Sequence, residues 1–353
     1  MKHFVLASLL LFPGQSWCQE VEPGPEARTY PFITTRGQLQ LQYDDGARGT
    51  ASGDDPAVIL NGISVAPGVD RLNIRRARVV TTLHLSEILQ MVNETNFDTR
   101  TNRVSVLDIY LRAQLNENWD MRAGMFKVPF GWEGLRSSRS TNTIEMSDVT
   151  RALSNFRDSG LAFTYQDEKL EWSQAFVQGQ GGVWTDLNGG KDWVTRVTYQ
   201  AAPYLRLGGS MHFGSYRPMG STVNLPVRRY GGEFQFSHEG WKVEGEALWS
   251  DGFNYFSQAN TTAHGFYLCL VRQLDERNDL VLHFDQFDPD LTGRDLEAAN
   301  NATNRRERLV LGWNYYFKRS PEHRLMVNYE FARETEGPRV SNNGLRVRYQ
   351  FSW

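Results

Sequence analysis

The chain ends on Leu345-Arg346-Val347-Arg348-Tyr349-Gln350-Phe351-Ser352-Trp353, where every odd position is apolar or aromatic and every even one is charged or polar. Successive side chains of an extended strand point to opposite faces, so period two reads as a strand with one greasy and one wet side. The same pattern runs through Leu309, Leu311, Trp313, Tyr315 and Phe317, and through Leu325, Val327, Tyr329 and Phe331. It recurs in Gln38-Leu39-Gln40-Leu41-Gln42-Tyr43 and in Leu107, Ile109, Leu111, Ala113 and Leu115, which alternate with Asp108, Tyr110, Arg112 and Gln114. No helical periodicity of comparable length accompanies it.

About sixteen such segments can be placed, each near the ten residues or so that a tilted membrane strand needs. Their expected starts are Arg36, Asp70, Glu87, Val104, Trp119, Ser159, Leu170, Asp192, Tyr204, Arg228, Trp241, Ala263, Asp279, Glu307, Arg324 and Gly344. Short connections, such as Asn116 to Asn118 and Ala202-Pro203, alternate with long ones, such as Asp44 to Val69, Pro129 to Asp158 and Asp288 to Arg306. Short turns on one rim and long loops on the other predict an all-β, 16-stranded antiparallel transmembrane β-barrel with both termini at the short-turn rim. Side chains cannot fill so wide a lumen, so the polar face must line water and the apolar face must meet lipid. Trp119, Trp172, Trp193, Trp241, Tyr204 and Tyr349 near strand ends fit interfacial girdles.

Composition narrows the alternatives. Lys+Arg 38 against Asp+Glu 41, with no long basic block, argues against a nucleic-acid partner. No apolar run beyond the extreme N-terminus is long enough for a membrane helix. Residues 1–18 carry a basic start, an apolar run from Phe4 to Phe12 and Ser16-Trp17-Cys18 before Gln19, the layout of a cleaved signal peptide. A periplasmic N-terminal segment (19–34) and the barrel (35–353) would follow, placing the chain in the outer membrane of a Gram-negative bacterium. Lipidation of Cys18 is disfavoured by the bulky Trp17 before it, and removal of the leader leaves Cys269 as the lone thiol. The histidines show no metal-binding spacing, so neither metal nor cofactor is expected. Asp44-Asp45 and Asp54-Asp55 in the first long loop read as a solvated acidic patch, with cations bridging lipopolysaccharide as the alternative.

With the strands placed, Asp108-Ile109-Tyr110-Leu111 followed by Gly124-Met125-Phe126-Lys127-Val128-Pro129-Phe130-Gly131 resembles the phosphate-selective porin O and P family. Ser137-Ser138, Glu145 and Arg157-Asp158-Ser159-Gly160 follow in the family's order, and Arg75-Arg76-Ala77-Arg78 and Leu311-Gly312-Trp313-Asn314-Tyr315-Tyr316 match its habits. The resemblance implies a sixteen-stranded outer-membrane channel, commonly a homotrimer, that passes small anionic solutes and is not an enzyme. The sequence departs from the family's lysine-rich pores: beyond the leader its lysines are Lys127, Lys169, Lys191, Lys242 and Lys318.

On the assigned faces Arg76, Arg78, Arg112, Arg122, Arg196, Arg206, Arg324, Arg346 and Arg348 point inward, and Lys127 joins them as a pore-lining cation. Closure of the barrel should bring Arg346 and Arg348 toward Arg76 and Arg78 in a basic wall, with Glu233, Glu244 and Glu246 roughly opposite. Permanently charged, planar guanidiniums can replace water around phosphate or carboxylate oxygens, and opposed charges would set a transverse field across the lumen. One by one, these arginines read more simply as a solvated wall paired with acids such as Asp108 and Asp120. The loop from Pro129 to Asp158 is long enough to be a constriction, with Glu133, Glu145 and Asp148 beside Arg136, Arg139, Arg151 and Arg157. The expected function is a diffusion channel preferring anions such as phosphate. The rivals are a non-selective porin, a barrel hydrolase using Ser137 or Ser138, and a plugged barrel acting as an adhesin.

Overall fold

The computed structural model describes residues 29–45, 59–60, 63–64, 71–98, 103–181, 186–218, 220–254, 259–291, 305–317, 322–335 and 343–353. The expected leader, Cys18 and Asp54-Asp55 lie outside the described residues.

Sixteen strands form one closed antiparallel barrel: β1 (Phe32–Asp44), β2 (Arg71–His84), β3 (Leu89–Asp98), β4 (Arg103–Gln114), β5 (Trp119–Lys127), β6 (Arg157–Gln166), β7 (Leu170–Val177) and β8 (Asp192–Ala202) make the first half. The second half is β9 (Leu205–Tyr216), β10 (Leu225–His238), β11 (Trp241–Asn254), β12 (Ala259–Gln273), β13 (Asn278–Asp288), β14 (Arg306–Tyr316), β15 (His323–Glu334) and β16 (Gly344–Ser352). Every observed start falls within about four residues of the one read from periodicity, the precision such boundaries allow. β1 begins at Phe32, so the barrel starts slightly ahead of the boundary at 35. Two connections on the long-loop rim, 99–102 and 255–258, are short.

Each strand pairs with its neighbours in sequence, and β1 closes the ring against β16, with Gln38 opposite Ser352 and Asp44 opposite Arg346. The seam ends on a reciprocal backbone pair between Gly37 and Trp353, at 3.0 and 3.1 Å. Gly37 lets the Trp353 ring lie over the seam, since a Cβ there would come within 2.1 Å of it and the ring would have to move.

Burial alternates with polarity inverted. On β16 Arg346, Arg348, Gln350 and Ser352 are buried, while Tyr349 is exposed. Around the outside, Leu207, Leu268, Leu282, Leu311, Tyr329 and Phe331 are exposed. Cross-strand registers stack them into apolar rows such as Leu282 beside Leu311 and Phe284 beside Leu309. No helix among the described residues is long and apolar enough to cross a membrane.

The segment between β5 and β6 folds into the lumen. It carries a 3-10 turn at Glu133–Leu135 and one short helix, α1 (Asp148–Leu153), too brief to leave a helical period in the sequence. Its Val128, Phe130, Trp132, Ile144, Val149 and Leu153 are almost completely buried. Of these, Val128, Phe130, Val149 and Leu153 cover the patch where the wall breaks the polar-inward rule, at Ala175, Val177, Val194, Leu248, Tyr267, Cys269 and Val281. α1 rests on β11, β12 and β13, and Gly265 of β12 makes room, since a Cβ there would come within 2.9 Å of Val149 Cγ2.

Candidate functional site

The inward loop is held by the wall chiefly through its backbone. Its Trp132 and Glu133 N–H groups each donate to Glu246 on β11 at 3.1 Å, Ile144 N donates to Asn328 on β15 at 2.6 Å, and Asp148 N donates to Asp285 on β13 at 3.0 Å. Its carbonyls accept in turn: Arg139 O from Gln350 at 3.1 Å, Thr141 O from Arg324 at 2.8 Å, and Met146 O from Arg308 at 2.6 Å. Anchors on five strands between β11 and β16 make this segment part of the barrel interior. Ser138 is used in the same way, its hydroxyl accepting from Gln38 at 2.8 Å, and Ser137 accepts the Arg139 N–H. Neither is hydrogen-bonded to a histidine among the described residues.

The expected basic wall exists as positions but not as bare charge. Between β1 and β2 the register shifts at Gln40/Leu41, so Arg76 faces Gln40 while Ile74 faces Leu41. That bulge leaves Arg75 as the extra residue and turns it inward beside Arg76. Both meet Glu145 of the loop, Arg75 Nε at 3.2 Å and Arg76 Nη2 at 3.8 Å, and Arg348 Nη2 of β16 reaches the same carboxylate at 3.0 Å. Closure does bring Arg348 and Arg76 together, but around a carboxylate. Burial alone would push the Glu145 carboxyl up; Arg75, Arg348 and Arg76 outweigh it and hold it well below the usual carboxylate range.

From β2 to β6 acids are interleaved with bases. Glu94 and Asp108 lie directly opposite each other, an unfavourable like-charge pair offset by Arg78, 3.2 Å from Glu94, and by Arg157, 2.7 Å from Asp108. Asp120 pairs with Arg112 and, at 3.2 Å, with Arg122. Lys127 donates to the carbonyls of Gly134 and Arg136 at 2.8 and 2.7 Å, so its ammonium clamps the loop as well as lining the lumen.

On the opposite side Glu233 and Glu246 are likewise cross-strand neighbours. Arg196 forks onto Glu233 at 2.6 and 3.1 Å and reaches Glu171 at 2.8 Å, while Arg206 takes the other Glu171 oxygen at 2.9 Å. Arg136 pairs with Glu244, Arg151 with Asp148, and Glu133 accepts from the Ser147 backbone at 3.1 Å. Arg346 bridges Asp44 at 3.2 Å and Glu330 at 3.1 Å. The expectation of bases on one side and acids on the other is therefore corrected. Both sides are mixed, because an unpaired charge inside the barrel costs more than a paired one. Arg75, Arg308 and Glu94 are lumen residues that the strict two-residue period missed or left unused; the doubled Arg75-Arg76 was the sequence signal of the bulge.

Between the loop and the short-turn rim lies a cavity of 1160 Å³. Twelve basic and ten acidic side chains line it, among them Arg78, Arg112, Arg122, Arg139, Arg196 and Arg324.

Solved structures share the architecture. The outer membrane channel DcaP of Acinetobacter baumannii matches at TM-score 0.67 and 12% identity, over 92% of this chain and 97% of that one. The anion-selective porin from Comamonas acidovorans matches at 0.63 and 11%, over 92% and 100%. The trimer form of OmpT from Vibrio cholerae matches at 0.58 and 11%, over 92% and 99%. At such identities the likeness is one of fold. No curated protein matches the sequence. What the sequence itself supplies is a family match: residues 68–226, from just before β2 to the start of β10, match the phosphate-selective porin O and P family.

Proposed function

We propose that the barrel is an outer-membrane diffusion channel for small hydrophilic solutes with a preference for anions, phosphate among them. The observation that carries the preference is the wall from β2 to β6. There Arg78, Arg112, Arg122, Lys127 and Arg157 face the cavity against Glu94, Asp108, Glu117 and Asp120, a small excess of positive charge in the segment matching the family. Fixed charge along a narrow aqueous path raises the local concentration of counter-ions and lowers their barrier to passage. The anion-selective Comamonas porin shares the fold, and the trimer form of OmpT supports a homotrimer for this chain, with lipid and lipopolysaccharide around it. A cleaved leader at 1–18 supplies the export route. The near balance of charge over the whole cavity favours a second reading, a general porin with little discrimination.

Reversal potential in a KCl gradient across a planar bilayer separates the two. The expected sign is that of a chloride-preferring channel, and Arg78→Gln, Arg112→Gln and Arg122→Gln together are expected to move it toward the potassium side. A wild-type potential at zero would leave the general porin standing. A potential unmoved by the three substitutions would remove the wall from the mechanism.

A further inference from the structure

Three guanidiniums converge on one carboxylate, and the loop, not the wall, supplies it. Arg75 forks onto Glu145, Nε to Oε1 at 3.2 Å and Nη2 to Oε2 at 3.4 Å. Arg348 Nη2 adds 3.0 Å to Oε1, and Arg76 Nη2 stands 3.8 Å from Oε2. The Gln42 amide donates to Oε1 at 3.4 Å. Arg348 is fully buried, and its Nη1 has no hydrogen-bond partner among the described residues. Arg75 and Arg76 keep 24% and 14% of their side-chain surface exposed, so solvent reaches the cluster at β2 and not at β16.

We propose that Arg75, Arg76 and Arg348 form a binding site for carboxylate solutes, and that Glu145 is the chain's own competing ligand for it. This rests on the reading of the barrel as a channel that admits anions. The forked contact from Arg75 fits the two coplanar oxygens of a carboxylate. The backbone on either side of Glu145 is anchored independently, at Ile144 by Asn328 and at Met146 by Arg308, so the side chain can leave the guanidiniums while the loop stays in place. A tethered carboxylate acts at a high effective concentration, which weakens the site for solutes and lets them leave as readily as they enter.

The test is block of chloride current by sodium acetate at constant ionic strength, in wild type and in Glu145→Ala. Removing the tethered competitor is expected to lower the half-blocking acetate concentration at least about tenfold, and adding Arg348→Gln is expected to abolish that gain. An unchanged half-blocking concentration overturns the proposal. Inorganic phosphate blocking Glu145→Ala at or below the acetate concentration overturns the carboxylate assignment. Should Glu145→Ala fail to assemble, Glu145→Asp, which shortens the reach but keeps the charge, is expected to shift block in the same direction, and no shift counts against the site. Reversal potential on the same channels separates the two readings. A potassium-preferring wild type with acetate block in the variant removes the anion preference and keeps the site. A chloride-preferring wild type with no acetate effect removes the site alone.

Discussion

Leu282→Arg is expected to destabilise the barrel by about 2–4 kcal/mol, the cost of a cation on the lipid face near the bilayer midplane. Leu282 sits midway along β13, exposed, in an outward row with Leu311. Gln235→Arg, on an inward position lining the cavity, should cost far less because water reaches it. Urea midpoints of the two variants folded into vesicles read the difference. Equal costs would mean that Leu282 does not face lipid.

Arg308→Met is expected to cost about 3–5 kcal/mol, the usual result of removing one partner from a buried ion network. Arg308 is 3% exposed, donates to Asp285 at 2.8 Å, stands 3.9 Å from Glu330 and holds Met146 O at 2.6 Å. Its loss takes the guanidinium from buried Asp285, which keeps the Asp148 N–H and His283 as partners, and weakens the seat of the loop, so a larger single-channel conductance should accompany the lower midpoint. Arg333→Met provides the contrast. That arginine pairs with Glu307 at 2.7 Å but is 72% exposed, and removing it is expected to cost no more than about 1 kcal/mol. Similar costs for the two would contradict the distinction between buried and exposed pairs.

The ring of strands was legible because a barrel with lipid outside and water inside forces a two-residue period on nearly every strand. The sequence from Leu345 to Trp353 shows that period in full. The loop's seat was not legible by the same rule, although the signal was present. In β12 the run Phe266-Tyr267-Leu268-Cys269-Leu270-Val271 is apolar on both faces, which a wall between lipid and water has no reason to be. It marks where Tyr267 and Cys269 are covered from inside. The inward arginines were found by face, and Asp108 and Asp120 among their partners, but Glu145, Glu171 and Glu330 were not, since pairing depends on which acid the loop or the next strand brings within reach. Glu145 lies in a loop with no period to constrain it, and only the folded loop places it among Arg75, Arg76 and Arg348.

The most direct measurement compares Arg206→Cys with Leu207→Cys on a Cys269→Ala background, treating reconstituted channels with a positively charged, water-soluble methanethiosulfonate. Arg206 lines the cavity with its side chain 20% exposed, and Leu207 is 45% exposed on the opposite face of β9. The current should change at 206, where the reagent restores the lost positive charge, and stay unaltered at 207. Reaction at 207 with 206 silent, or equal reaction at both, would contradict a wet, arginine-bearing lumen enclosed by a lipid-facing apolar wall.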